Sequence, residues 1–324
     1  MKRRSFVASL GAVAASGLLP IAAVGQARKK IGFLYPGRTA AGSSRLAAFR
    51  EGLRSAGLDP TQIEIVPRYA ETVVERNAVL ARELVEAKVD VLVAISVIAV
   101  EVARAATKTI PIVAFDLETD PVASGLAANL ARPGGNVTGV YFDYPDFSTK
   151  WMELLKEAIP RLAKVVVVRD PASPSPQLKG IETTAVAMAV KVEVVDIRTA
   201  AEFDAAFRSV RERGPDAVLI LSSPLFGADP APVAQQALVN RLPAITLFPE
   251  FARAGGFMAY GVSLLGAIQQ CGGMAGKVLN GAKVAELPIE RPTNFELVVN
   301  AKTAKILGIE LPTSILLRAN EVIE

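Results

Sequence analysis

The sequence predicts an α/β protein of two Rossmann-like lobes, each a parallel sheet covered by helices. Three observations carry this. From Lys30 onward, short apolar runs alternate with longer amphipathic ones, the pattern of strands buried on both faces between helices. The 324 residues, 51% hydrophobic, suit two domains with sizeable cores and exclude a disordered chain. The order of runs in the first half also returns in the second at a nearly fixed spacing.

Strands are expected over 31–35, 63–69, 89–95 and 112–115, each a short run rich in β-branched or aromatic residues between polar or turn residues. The first helix, expected over 44–56, follows Gly42-Ser43 and stops at Gly57, which supplies a cap at each end. The second, over 73–87, places Val73, Leu80, Leu84 and Val85 on one stripe, with Glu75, Arg76, Arg82 and Glu86 mostly opposite. A third follows Ser96. At Arg132-Pro-Gly-Gly-Asn136, Pro133 fixes its own φ, while Gly134 and Gly135 permit positive φ. These glycines lead into a strand over 137–142, whereas a phosphate cradle needs them ahead of a helix. They are read as a turn, and the sequence holds no GxGxxG and no P-loop.

Lys30-Ile-Gly-Phe-Leu-Tyr35 is echoed by Lys164-Val-Val-Val-Val-Arg169, and Ile63-Glu-Ile-Val66 by Val192-Glu-Val-Val195. Asp90-Val-Leu-Val-Ala-Ile-Ser96 is echoed by Asp216-Ala-Val-Leu-Ile-Leu-Ser222, and Ile110-Pro111-Ile-Val by Leu242-Pro243-Ala-Ile. The offsets are 134, 129, 126 and 132 residues. Four echoes in order point to two lobes of one plan. The first lobe is expected to take 30–141 with a returning segment over 250–283, and the second 142–249 with the tail, 284–324.

The first 27 residues are of another material. Lys2, Arg3 and Arg4 precede an uncharged run rich in Ala, Leu, Val and Gly, and Gly25-Gln26-Ala27 offers small residues for cleavage. This reads as a signal peptide, residues 1–27, that sends the chain to the periplasm. Lys2-Arg3-Arg4-Ser5-Phe6-Val7 also resembles a twin-arginine export signal, with Lys2 where that motif prefers Ser or Thr. Without this leader, 33 basic residues face 32 acidic ones, and nucleic-acid binding loses its electrostatic motive.

The chain has no His and one Cys. That removes Ser-His-Asp and Cys-His nucleophile systems, His-ligated zinc, thiolate clusters and any internal disulfide. No pair of carboxylates stands out by spacing as an acid and base, and no cofactor or metal is expected. Cys271 lies in an apolar segment and reads as a buried, inert thiol.

In doubly wound sheets ligands bind beyond the carboxyl ends of the strands, where loops and helix N-termini converge. That selects Tyr35, Ser96, Phe115 and Asp116 in the first lobe, with Ser43 at the start of its first helix. In the second it selects Asp170, Ser173, Ser222 and Ser223. Ser96 and Ser222 each stand six residues after the Asp that opens the matching strand, where free N–H groups suit an anion. Each could instead be only a helix cap. Asp116 and Asp120 could balance a ligand ammonium or simply cap turns. Tyr35 could serve lobe packing, and Trp151, beside Leu154 and Leu155, reads as core.

Ile110-Pro-Ile-Val113, Asp120-Pro-Val122, Leu130-Ala-Arg-Pro-Gly-Gly-Asn-Val-Thr-Gly139, Lys150-Trp-Met-Glu-Leu-Leu-Lys156 and Tyr260-Gly261 resemble the tryptophan/tyrosine-type ABC-transporter substrate-binding proteins. The tail agrees in Leu279-Asn-Gly-Ala-Lys283, Pro288, Phe295-Glu-Leu-Val-Val-Asn300, Lys302-Thr-Ala304, Leu307-Gly308 and from Arg318 to Ile323. The resemblance implies a type I periplasmic-binding fold, a monomer whose hinged lobes close on a small molecule and dock on a membrane ABC permease, without catalysis. The sequence departs from the family at two places. The family's Gly-Thr-Pro run after the third strand reads Ile95-Ser96-Val97, and its Asn-Pro after the first strand of the second lobe reads Asp170-Pro171. The function expected is a periplasmic receptor of an ABC importer for an amino acid, aromatic by default, or a related carboxylate. The alternatives are an exported α/β enzyme acting on a small polar substrate, or a sensory receptor without transport.

Overall fold

The computed structural model describes residues 28–116, 120–142, 144–173, 175–227, 229–292 and 295–324, so the leader expected over 1–27 lies outside the described residues. In the first lobe β1 (Lys30–Tyr35), β2 (Glu64–Tyr69), β3 (Val91–Ile95), β4 (Ile112–Asp116) and β5 (Val137–Tyr141) form one sheet in the order β2-β1-β3-β4-β5. Every pairing in it is parallel. The crossovers are α1 (Thr39–Ser55), α2 (Arg76–Glu86) and α3 (Val97–Ala106). Every residue of β3 is buried, which is why it reads as a continuous apolar run rather than an alternating one.

Two helix starts differ from expectation. α1 begins at Thr39, one turn before Gly42-Ser43, because the Glu71 carboxylate accepts the Thr39 amide at 3.0 Å. A partner 32 residues away satisfies the free N–H, so no local capping signal marks the start. α2 buries Leu80 and Leu84 as the stripe predicts, with Ala81 beside them, but Val85 is only half-buried and Val73 precedes the helix and is exposed. The far end of α1 is as expected, with Gly57 at φ 78° closing the helix in the left-handed region.

The second lobe repeats the plan. β6 (Lys164–Arg169), β7 (Lys191–Asp196), β8 (Ala217–Ile220), β9 (Ala244–Thr246) and β10 (Met258–Gly261) pair in the order β7-β6-β8-β9-β10. β11 (Glu296–Asn300) adds antiparallel to β10, and β12 (Glu321–Ile323) adds parallel to β11. Its helices are α4 (Tyr144–Ala158), α5 (Pro176–Ala187), α6 (Phe203–Glu212), α7 (Pro224–Gly227), α8 (Pro230–Val239) and α9 (Pro249–Arg253). They are followed by α10 (Leu264–Leu279), α11 (Ala301–Leu307) and α12 (Thr313–Arg318).

The repeated aspartates have a physical cause. The Asp90 carboxylate accepts the Lys30 amide at 2.7 Å. Asp216 accepts the amides of Ala163 and Lys164 at 2.8 and 2.9 Å. In each lobe the aspartate that opens the third strand satisfies the amide end of the first and ties the two together at the amino edge of the sheet.

The lobe boundaries differ from those expected. The return to the first lobe over 250–283 is carried by α10 alone, because β10 is hydrogen-bonded between β9 and β11. α10 lies on α1 with backbones in contact: a Cβ on Gly52 would fall 1.8 Å from the Gln269 carbonyl oxygen. The tail does not leave the first lobe at 284. The Gly134 amide donates to the Ala285 carbonyl at 3.1 Å and the Tyr141 amide to Glu290 at 3.0 Å. The chain therefore crosses after Tyr141, after Gly261 and after Glu290. Trp151 is fully buried on α4, and its Nε1 donates to the Tyr260 carbonyl at 2.7 Å.

Candidate binding cleft

The carboxyl ends of β1, β3 and β4 face those of β8 and β9 across the interlobe gap, which holds three adjoining cavities. The first, about 140 Å3, is lined by Ser44 and Arg45 of α1, by Ser222, Phe226, Phe248 and Phe251 of the second lobe, and by Leu264 of α10. The second, about 30 Å3, is lined by Tyr35, Ser96, Phe115 and Ser222. The third, about 540 Å3, is lined by Asn77 and Ile98 on one side and Asp170, Ser173 and Phe203 on the other. Ser223 lines the first two and hydrogen-bonds to Asp170, which lines the third.

Arg45 sits at the meeting of the lobes, 5% exposed. Its guanidinium lies 4.8 Å from the centre of the Tyr35 ring, and its Nη2 donates to the Gly227 carbonyl of the second lobe at 2.5 Å. Burial pushes the Tyr35 phenol up, with Arg45 pulling the other way. Glu250, in the first turn of α9, lines the same 140 Å3 cavity. Burial raises its carboxyl, opposed by Arg253 and Arg45, and its buried Oε2 has no partner among the described residues.

Ser96 is buried with φ 95° and ψ 160°, a region that is nearly glycine's alone and costs about 1–3 kcal/mol for other residues. Its amide donates to the Phe115 carbonyl at 2.8 Å. Its side chain makes no cap bond to α3, and its Oγ is buried without a partner among the described residues. The cap reading is therefore not what this hydroxyl does. The backbone here is one that glycine favours, although the family resemblance sets its Gly at Ile95 and a hydroxyl residue at Ser96.

The other expected residues divide. Tyr35, Phe115, Ser173, Ser222, Ser223 and Asp170 all line the three cavities and are buried. Phe115 is braced edge-on against Phe142 at 5.9 Å. The Ser223 hydroxyl accepts the Phe226 amide at 3.4 Å. Ser43 is not at the cavities: it is exposed, and its hydroxyl donates to the Ala40 carbonyl at 2.9 Å within α1, while the next residue, Ser44, lines the cleft. Asp120 caps a turn, its Oδ1 accepting the Val122 and Ala123 amides at 2.8 and 3.1 Å. Asp116 closes β4, and its side chain lies outside the described residues.

Arg45, Glu250 and Asn77 were not legible as cleft residues. Glu250 had a signal: Phe248-Pro-Glu250 follows β9 as Phe115-Asp116 closes β4. Among the described residues no group of three or more His, Cys, Asp or Glu is placed to hold a metal, and no helix is long and apolar enough to cross a membrane. Cys271 is buried with its Sγ 3.8 Å from the Ala114 carbonyl, and burial pushes its thiol far up.

Two lobes of one plan around a shared, apolar-walled cleft are the arrangement found in hinge-closing solute-binding proteins. The chain matches the family model of ABC transporter substrate binding proteins over residues 40–323, and it belongs to that family. It is similar to the tyrosine-binding protein of Clostridioides difficile (strain R20291), 28% identical over 254 residues, which is 78% of this chain and 72% of that protein. It superposes with a TM-score of 0.82 on the ABC domain in complex with L-Trp from Streptococcus pneumonia, at 24% identity, covering 91% of this chain and 100% of that one. Against the ligand-free, open structure of a substrate binding protein with adhesive properties from Clostridium difficile the TM-score is 0.63, at 26% identity, covering 91% and 99%. The fold is that of type I periplasmic binding proteins. Members of the family bind solutes and are not enzymes, so the enzyme alternative falls away.

Proposed function

We propose that this chain is the exported receptor of an ABC importer, which closes its lobes on an aromatic amino acid and presents it to a membrane permease. One observation carries the reading. The 140 Å3 cavity built by both lobes and walled by Phe226, Phe248 and Phe251 is about the size of an apolar cavity that accepts one benzene ring. Glu250 Oε2 at this cavity and Ser96 Oγ at the adjoining 30 Å3 cavity have no partners among the described residues and are what a ligand's polar end would satisfy. The relatives named for tyrosine and solved with L-Trp support the class.

Closure supplies the mechanism. A ligand touching both lobes binds the closed state more tightly than the open one, and that difference in affinity is the signal a permease reads. The Arg45–Gly227 bridge and the higher TM-score to the L-Trp complex than to the open structure support a closed arrangement here. The test is a thermal-shift screen of the mature protein against amino acids, small carboxylates and aromatic acids. At 1 mM, a ligand with Kd near 1 μM adds about 4 kcal/mol, a rise of several degrees. Silence of the aromatic amino acids contradicts the ligand class.

A further inference from the structure

The largest of the three cavities holds a buried carboxylate that forms no ion pair with any of the described residues. Asp170 is 8% exposed. It accepts the Ala172 amide at 2.9 Å, the Ser173 hydroxyl at 3.4 Å and a bond from Ser223. The charge that acts on it is Asp196, of the same sign and itself paired with Arg169 at 2.7 Å. Burial first and that like charge last both push the Asp170 carboxyl up. Holding such a group out of water without a cation is costly. Facing the same cavity from the first lobe, Asn77 is 1% exposed. Its Nδ2 donates to the Val74 carbonyl at 2.9 Å. That fixes the amide's orientation and leaves Oδ1 buried, without a partner among the described residues.

Each lobe thus offers this cavity a buried acceptor. Arg38 and Arg198 also line it, but both are exposed to solvent, and Arg38 acts on Glu71. Glu250 is a poorer seat for a cation because Arg45 and Arg253 already oppose its charge. We propose that Asp170 and Asn77 form a cation seat, one acceptor from each lobe, that takes a primary ammonium group of the ligand as the cleft closes. The proposal rests on the cleft being the ligand site, as argued above, and deepens it. The ligand class becomes amino acids and amines, and aromatic carboxylates lacking an ammonium are rejected.

The test uses the mature wild-type chain and its Asp170→Asn and Asn77→Ala variants, each checked for a cooperative melt. The probes are the twenty amino acids, simple aliphatic amines, and the series tryptophan, tryptamine and indole-3-propionate, read by thermal shift and then calorimetry. Every compound that binds the wild type should carry an ammonium. Either variant should weaken those compounds at least tenfold and leave any residual binding of indole-3-propionate unchanged or tighter. Indole-3-propionate binding the wild type as tightly as tryptophan overturns the seat, as does undiminished affinity in both folded variants or silence of every ammonium compound. If aliphatic amines or amino acids bind and aromatic ones do not, the seat stands and the aromatic reading falls.

Discussion

The Arg45 guanidinium of α1 donates to the Gly227 carbonyl of α7 at 2.5 Å, so one buried cation ties the first lobe to the second. A hydrogen bond from a charged group is worth about 1.5–3 kcal/mol, and this one exists only with the lobes together. Arg45→Met keeps the bulk and removes the bond. Its expected effect is a roughly tenfold to hundredfold loss of affinity for the ligand, measured by calorimetric titration, with a much smaller change in the melting temperature of the unliganded protein.

Ser96→Gly separates strain from binding. The φ of 95° costs Ser96 about 1–3 kcal/mol, while glycine loses roughly 0.5–1 kcal/mol in unfolded-state entropy. Chemical denaturation should show the variant as stable as the wild type or about 1 kcal/mol more stable, while its ligand affinity falls with the buried hydroxyl. A variant that is both less stable and equally tight contradicts this account.

Gly52→Ala tests how α10 is held to the first lobe. The new Cβ would meet the Gln269 carbonyl oxygen at 1.8 Å, backbone that cannot step aside without parting the helices. A loss of about 3 kcal/mol is expected, read as a fall in the urea midpoint.

The pH dependence has a definite sign. Burial raises the native carboxyls of Asp170 and Glu250 above their ordinary 3.8 and 4.5. Between the ordinary and raised values the native state binds more protons than the unfolded chain, so stability falls as pH rises. Their contribution is complete below about pH 4 and is lost as pH climbs through the raised native values. Hydrogen bonds from Lys191 and Lys164 hold Glu193 down at about 2, so its contribution is present above 4.5 and is lost as pH falls toward 2. Melting temperatures from pH 4.5 upward should therefore decline in the wild type, and the decline should flatten in Asp170→Asn and Glu250→Gln.

Much of the fold was legible because its causes are local or repeated. Asp90 and Asp216 announced the duplication, since each must tie a strand start by the same bond. The start of α1 was hidden because its cap, Glu71, lies across the lobe. Met258–Gly261 was misassigned because nothing in four residues tells which sheet will hydrogen-bond them. In the cleft, Ser96 and Ser222 stood out through the repeat. Arg45 and Asn77 did not, since a polar residue in a helix has no marked role until the opposite lobe is brought against it. Asp170 was visible as a charge where the resemblance expects Asn, but that it forms no ion pair among the described residues appears only in three dimensions.

Closure of the two lobes on their guest is a change of shape. Solution X-ray scattering of the mature protein, titrated with the aromatic amino acid that gives the largest thermal shift, reads that change. The radius of gyration should fall along the same saturation curve as the heat of binding. Saturable binding with an unchanged radius would contradict it.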